Sequence, residues 1–318
     1  MTMPAANLLQ QPIPPIVLIT TVGSGLVTWL LLWRLIPWLR RRLLDQPNAR
    51  SSHRIATPRG GGVVFVLVGS LFSLTLGTGV SAWIPLICCP LALVGLLDDR
   101  FDLPAAWRYA AQLATAGVLV MMAAVPLPIW TLPLVLVAVT AVINFTNFMD
   151  GLDGLVALCG VVLMASAGLW PVAGALLGFL AWNWSPAKVF MGDVGSTWIG
   201  AVFAGMVLQQ SGSLEAISLL LVGFPLLGDA LICVLRRMRA GQPVFQAHRL
   251  HLFQRLQRGG WPHAKVSLVY GSATAVLALA RPFGGAAALT PLIGAEMLMA
   301  LWMERNKAVA FKDEAKTG

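Results

Sequence analysis

From about residue 14 to residue 303 the chain is a succession of apolar runs separated by polar segments. A helix needs about 20 apolar residues to cross a bilayer, and fewer where it is short or shielded by its neighbours. Eleven such runs are read: about 14–38, 63–80, 82–97, 107–125, 128–145, 155–170, 171–183, 196–209, 214–235, 266–280 and 283–303. The expected fold is all-α: one domain over residues 1–318, built as a polytopic membrane helix bundle of about 11 transmembrane helices.

Composition agrees. Of the 318 residues, 58% are hydrophobic and 11% charged, and the mean hydropathy is +0.78. Soluble domains carry about 25% charged residues, so no sizeable soluble domain is expected. The net charge of +9 would suggest nucleic acid in a soluble protein. Here it is better explained by topology, anionic membrane lipid and phosphate ligands, and no nucleic-acid partner is expected. The first apolar run is long, and its basic residues Arg40, Arg41 and Arg42 follow it, so it reads as a retained span and not as a cleaved leader. Cys88, Cys89, Cys159 and Cys233 all lie in apolar runs without metal-ligand spacing, which favours core packing over a disulfide or a metal site.

Alternating the eleven runs puts all five long polar segments and the tail on one side, with every Lys and Arg except Arg281. The positive-inside rule makes that side the cytoplasm, with the N-terminus outside and the C-terminus inside. The outer connections LGTGVS, VPLP, LWP, QQSGSLE and RPFGG are brief. Trp38, Trp83, Trp130, Trp170 and Trp302 fall near run ends, as an interfacial belt would. There is no internal repeat, which argues against an inverted-repeat transporter.

The polar segment Asn144–Leu155, NFTNFMDGLDGL, sits where one apolar run stops and the next starts. Ionisable groups beside a bilayer are costly and usually functional. Asp150 and Asp153 are three apart, one face of a helical turn. Gly151 and Gly154 would let a backbone approach a ligand. Carboxylates with the amides of Asn144 and Asn147 suit a hard cation such as Mg²⁺. A polar loop between two spans is the plain alternative. Asp98, Asp99 and Asp102 in DDRFD, and Asp193 in FMGDVGS, reach the same membrane face, so six carboxylates from three loops converge. A cation held there would neutralise a diphosphate as its bond breaks. The alternative for the first set is pairing with Arg100 and Arg108.

Cationic groups come from other loops. His53, Arg54 and Arg59 precede Gly60–Gly62, Lys188 precedes MGD, and His248, Arg249, His251, Arg255 and His263 lie in the last cytoplasmic loop. They could hold phosphates by charge-assisted hydrogen bonds. Topology alone explains Arg40–Arg42 and Arg236–Arg239. Histidine does little for topology at neutral pH, so His248 and His251, three apart, are read as functional. Asp229 lies about two turns from the inner end of its run, where it supports the site or makes a packing hydrogen bond, and Glu296 lies within the last run.

The segments DQPNARSSHRIATPRGGG, GLLDDRFDLPAAWRYAAQ, NFTNFMDGLDGL, NWSPAKVFMGDVGS and HRLHLFQRL resemble, in order, those of the polyprenyl-phosphate N-acetylhexosamine-1-phosphate transferases, glycosyltransferase family 4. The resemblance runs from Asp45 to His263. It implies ten or eleven helices around a cytoplasmic cleft in the bacterial inner membrane. It also implies Mg²⁺-dependent transfer of a sugar 1-phosphate from a UDP-N-acetylhexosamine to undecaprenyl phosphate, with UMP released and Mn²⁺ as a substitute cation. By position, Asp98 and Asp99 match paired aspartates that deprotonate or position the lipid phosphate, and Asp193 matches the Mg²⁺-binding aspartate. Asn147, Asp150, Gly151, Leu152, Asp153 and Asn183 match stretches around the nucleotide and catalytic centre, and His248 and His251 match the histidine motif near the diphosphate. Arg108 stands where many members carry lysine, and the HRLHLFQRL form is more similar to the branch that starts O-antigen and related surface polysaccharides, often from a 6-deoxy-N-acetylhexosamine donor.

The expected catalytic set is therefore Asp98, Asp99, Asp150, Asp153, His248 and His251. Substrate binding is expected of His53, Arg59, Asn147, Gly151, Leu152, Asn183, Lys188 and Arg249, and cation binding of Asp193 and Asp150. A homodimer is compatible with the sequence, though no stretch requires one. Two other classes remain open: an intramembrane Mg²⁺-dependent prenyltransferase, whose aspartate-rich motifs NFMDGLD and DDRFD resemble, and a lipid or solute transporter.

Overall fold

The computed structural model of the protein describes residues 14–47, 55–77, 79–243 and 248–311. In chain order these form α1 (Pro15–Arg42), β1 (Leu44–Asp45), β2 (Thr57–Pro58), α2 (Gly62–Ser73), α3 (Val80–Ile87), α4 (Cys89–Phe101), α5 (Ala105–Met121), α6 (Leu132–Phe148), α7 (Leu155–Ser166), α8 (Trp170–Asn183), α9 (Asp193–Leu208), α10 (Ser213–Val222), α11 (Phe224–Arg239), α12 (Leu252–Arg258) and α13 (His263–Asn306). Among the described residues the one sheet is the antiparallel pair β1–β2, with Leu44 opposite Pro58 and Asp45 opposite Thr57. Every apolar run expected from the sequence is helical.

The protein is a multi-pass helical membrane protein. Helices Pro15–Arg42, Val80–Phe101, Ile129–Phe148 and His263–Asn306 are long and apolar enough to cross a bilayer, and a bent pair makes a fifth. Their outward faces are apolar: Leu18, Ile19, Leu26, Leu134, Val137 and Leu298 are all exposed, as are Trp38, Trp83, Trp130, Trp170 and Trp302 near helix ends. The simple count of eleven straight spans does not describe the fold. The apolar helices Gly62–Ser73 and Leu155–Ser166 have 12 residues each, too short for a full crossing alone. The run expected at 214–235 is two helices, α10 and α11, bent by 82°. Gly223 stands at that break, where Pro225 begins the next helix without an amide to donate backwards.

Helix α13 also needs correction as a single element. Its backbone leaves helical geometry at Gly284 (φ −172°, ψ 15°) and Gly285 (φ 54°, ψ −140°). Both of its ends meet α12: Trp261, just before it, donates its amide to Leu256 O, and Glu304, near its end, accepts from Arg255. The chain therefore reverses at the two glycines, and α13 is a hairpin of two arms, as the runs at 266–280 and 283–303 imply.

The core is centred on α9, whose Trp198, Ile199, Ala201, Val202 and Phe203 are buried. Around it pack α2, α3, α4 and α6. Helices α1 and α8 approach closely at small residues, with Ser24 Oγ donating to Pro171 O at 2.7 Å. At one end of the bundle Arg281 ties three elements together. It donates to Ser218 Oγ at 3.1 Å, Ser166 O at 2.9 Å and Gln210 Oε1 at 2.8 Å. The opposite end carries the acidic loops.

Candidate active site

At that opposite end lies a cavity of about 370 Å³ lined by Asp98, Arg108, Tyr109, Gln112, Asn144, Asn147, Asp150, Asp193, Thr197, His248, His251 and Gln254, with Leu91, Val94, Gly95 and Phe148. Its wall is assembled from the last turn of α4, the first turns of α5, the end of α6 and the loop after it, the first turn of α9, and the loop between α11 and α12. Close packing makes this convergence possible. A side chain at Gly95 would strike the backbone of Asp193 at 2.6 Å, so glycine there lets α4 lie directly against the start of α9. Gly192 has φ 72°, and a Cβ on it would run into the Asp99 carboxylate.

The paired aspartates divide. Asp98 lines the cavity, accepting Leu103 N at 2.7 Å and Arg108 Nη1 at 3.1 Å. The pairing with Arg108, an alternative open from the sequence, is thus formed by a residue that also faces the cavity. Asp99 does not line it. Its carboxylate accepts Asp193 N at 3.2 Å and Val194 N at 3.4 Å, which places a negative charge at the N-terminus of α9. Asn147 bridges the other side, donating from Nδ2 to Asp193 Oδ2 at 3.4 Å and accepting Ser196 Oγ at 2.7 Å. Asn144 donates to Gln112 Oε1 at 2.5 Å.

Asp153 also stands behind the cavity wall. It accepts Ala187 N at 3.2 Å, its Oδ1 lies 3.3 Å from His263 Nδ1, and its carbonyl accepts Ser267 Oγ at 2.8 Å. Asn183 accepts Gly154 N at 3.0 Å and donates to Val189 O at 2.9 Å. Both brace the loop after α6 against the loop before α9. The remaining expected contacts stand outside the lining too. Lys188 lies over the Trp182 ring at 5.1 Å. Gly151 packs against the Phe253 ring and Leu152 is buried in the core. Arg59 joins its amide to Leu43 O at 2.9 Å, and Arg249 sits between the histidines along the chain without facing the cavity. His53 lies outside the described residues. Conversely, Tyr109, Gln112, Thr197 and Gln254 line the cavity without having been singled out; Thr197 follows Asp193 by four residues, one helical turn, and that was the available signal.

Asp229 positions the histidine loop. Its Oδ1 accepts Leu252 N at 2.9 Å, and its Oδ2 accepts Phe253 N at 3.1 Å and Tyr270 Oη at 2.7 Å. One carboxylate on α11 thereby caps α12 and ties it to α13. His248 and His251 stack with ring centroids 4.9 Å apart. Cys233, expected to serve only in packing, lies against them: its Sγ and a ring nitrogen of each histidine fall within 4.8 Å of one another.

The electrostatics are lopsided. Burial pushes the Asp150 carboxyl well above the ordinary carboxylate range, and the charges of Asp193, Asp99 and Asp153 push it further. Asp193 is pushed up to about 7 by burial, then by Asp99 and Asp98. Asp153 moves the other way: burial opposes the shift, but the His263 hydrogen bond and charge hold its carboxyl low. Burial lowers His248 to about 3, with His251 and Arg237 adding to it, and lowers His251 to about 4, with Arg237 and Arg255 adding. Both imidazoles are therefore neutral at pH 7, and the 3.9 Å approach of His251 Nδ1 to Asp229 is no ion pair. Carboxylates that burial and mutual repulsion drive toward protonation are relieved by a cation. The donors at hand, the Asp98, Asp150 and Asp193 carboxylates, are all hard oxygens, so the residues fit Mg²⁺.

These features define a membrane protein with an acid-lined site at one end of its bundle. The sequence profile described as glycosyl transferase family 4 matches residues 81–211, the stretch that supplies all three cavity aspartates. The decaprenyl-phosphate N-acetylglucosaminephosphotransferase of Mycobacterium tuberculosis is 32% identical, over 70% of this chain and 71% of its own. The undecaprenyl-phosphate alpha-N-acetylglucosaminyl 1-phosphate transferase of Salmonella typhi is 31% identical, over 74% and 75%, and its Escherichia coli counterpart 29%, over 81% and 82%. The chain belongs to glycosyl transferase family 4, among the polyprenyl-phosphate N-acetylhexosamine-1-phosphate transferases.

Proposed function

We propose that this protein transfers an N-acetylhexosamine 1-phosphate from a UDP-sugar to undecaprenyl phosphate, releasing UMP, as the initiating step of an O-antigen-like surface polysaccharide. The observation that carries the reading is the convergence of Asp98, Asp150, Asp193, Asn147, Arg108, His248 and His251 on one cavity. The acceptor is a phosphate on a lipid that stays in the membrane plane, and the donor is a soluble anion. A cavity at the end of a bundle lets both arrive. The site faces the cytoplasm of a bacterial inner membrane, with the N-terminus outside. This is supported by Glu304 near the end of α13, which pairs with Arg236 and Arg255 beside the site, and by Arg281 at the other end of the bundle.

Mg²⁺, held by Asp150 and Asp193, would screen the donor diphosphate and make UMP a better leaving group. Arg108, oriented by Asp98, holds the lipid phosphate by a charge-assisted hydrogen bond. An oxygen of that phosphate attacks the donor's β-phosphorus, and the bond from that phosphorus to UMP breaks. Asp98 takes up any acid proton left on the acceptor. The neutral His248 and His251 donate hydrogen bonds to the donor's phosphates. Catalysis is then mainly positioning and charge compensation. Trapping a phosphorylated enzyme without acceptor would defeat direct attack.

N-acetylglucosamine stands in the names of the three relatives, whereas the HRLHLFQRL form supports a donor of the 6-deoxy kind. The test is UMP release by purified protein with Mg²⁺, undecaprenyl phosphate and a panel of UDP-N-acetylhexosamines. Release that depends on lipid and cation with one donor identifies the sugar. Absence of release with every donor, from folded protein, overturns the proposal.

A further inference from the structure

Cys233 is 3% exposed on α11, and its Sγ lies beside His248 and His251, two imidazoles that line the acid-bearing cavity. One thiol and two imidazoles are the donors that a borderline-soft ion prefers, not those of Mg²⁺. The buried Nδ1 of His251 has no hydrogen-bond partner. An orphaned ring nitrogen in a residue only 2% exposed is costly unless something binds it. A tetrahedral zinc ion needs its donors about 3.3–3.7 Å apart, given bonds of about 2.0–2.3 Å. The three donors are already within 4.8 Å, and His248, half-buried at the cavity edge, can close the difference by side-chain rotation.

We propose that Cys233, His248 and His251 bind a divalent ion of zinc's class, and that this ion inhibits the transferase by taking both histidines away from the donor phosphates. Binding displaces the thiol proton to solvent and leaves the fourth position to water. The site is separate from the aspartates that would hold Mg²⁺, so excess Mg²⁺ does not compete for it. The inhibition rests on the transferase reading; the binding does not.

The test titrates Zn²⁺ into the full-length protein, stripped with chelator and held in excess Mg²⁺, against a chromophoric competitor, and reads the ion's shell by X-ray absorption. One ion per chain is expected, with one sulfur and two imidazoles. Cys233→Ala, or Cys233→Ser should the alanine variant lose its thermal transition, weakens binding at least tenfold and removes the sulfur. It retains the basal rate of UMP release but escapes inhibition by zinc. No tight ion in the wild type, a shell without sulfur, or unchanged affinity in the variants would overturn the site. Binding as described with undiminished UMP release would overturn the inhibition alone. Binding with no UMP release under any condition would keep the site and refute the transferase reading.

Discussion

Replacing Asp229 by asparagine tests whether the histidine loop is held from below by one carboxylate. Three donors converge on it: Leu252 N on Oδ1, and Phe253 N and Tyr270 Oη on Oδ2. An amide offers one oxygen and one NH₂. With the oxygen toward Leu252, the NH₂ confronts Phe253 N, although Tyr270 can turn its hydroxyl to accept. With the amide flipped, Leu252 N is confronted instead. Either way one buried backbone N–H is left without an acceptor, at about 1–3 kcal/mol. The surviving bonds lose their charge assistance, at about 1 kcal/mol more. The expected loss is about 2–4 kcal/mol, concentrated where α12 begins. Because His251 is the residue before α12, the loop should shift by a fraction of an ångström to an ångström. UMP release should fall by about ten- to a hundredfold in kcat/KM. Hydrogen exchange in 248–253 should accelerate by a similar factor, while exchange in α9 stays put. Unchanged exchange in that loop, or equal acceleration throughout the bundle, would refute the account of Asp229 as a local anchor.

Other variants test other parts. Asp193→Asn should abolish Mg²⁺-dependent UMP release while raising the Tm of chelator-treated protein by several degrees; the folded carboxyl titrates near 7, so the metal-free protein holds more protons than the unfolded chain between about pH 4 and 7 and loses stability as pH rises through that window. Mg²⁺ should stabilise the wild type and leave that variant unmoved; equal stabilisation of both would place the cation elsewhere. Asp153→Asn weakens the brace to His263 and Ala187. Because the folded carboxyl lies low, the stability it gives is present above about pH 4 and disappears as pH falls through its folded value, so the wild-type and variant Tm curves should differ at pH 7 and converge in acid. Arg281→Ala removes three hydrogen bonds between helices at the end of the bundle away from the cavity, about 2 kcal/mol in total. It should lower Tm with KM unchanged, and a raised KM would show that the two ends are coupled.

Much of the site was legible because its acids stand where apolar runs stop. Asp98, Asp150, Asp193, Asn147, His248 and His251 were all marked in advance, and all line one cavity. The roles of neighbours were not legible. Asp98 and Asp99 are about 100° apart around a helix, so one faces the cavity and the other the start of α9, and nothing in DDRFD says which. Asp153 read as catalytic and Asn183 as substrate-binding by position, yet they hold backbone across loops, which only the packed structure displays. Cys233 was hidden for another reason. Its imidazole neighbours lie more than a dozen residues away in a separate loop, and no local spacing encodes their meeting. The bend between α10 and α11 was masked by an apolar run that continues unbroken through Gly223.

The hairpin α13 has a consequence for biosynthesis. The aspartates of the cavity are all translated by residue 193, and the histidines by residue 251. The arms that secure the histidine loop, through Tyr270 on the first and Glu304 on the second, emerge from the ribosome afterwards. A nascent chain could thus gather its carboxylates in the membrane without yet holding its imidazoles in place. Competence arrives only when the hairpin folds back, so a chain released early would be inert instead of half-active.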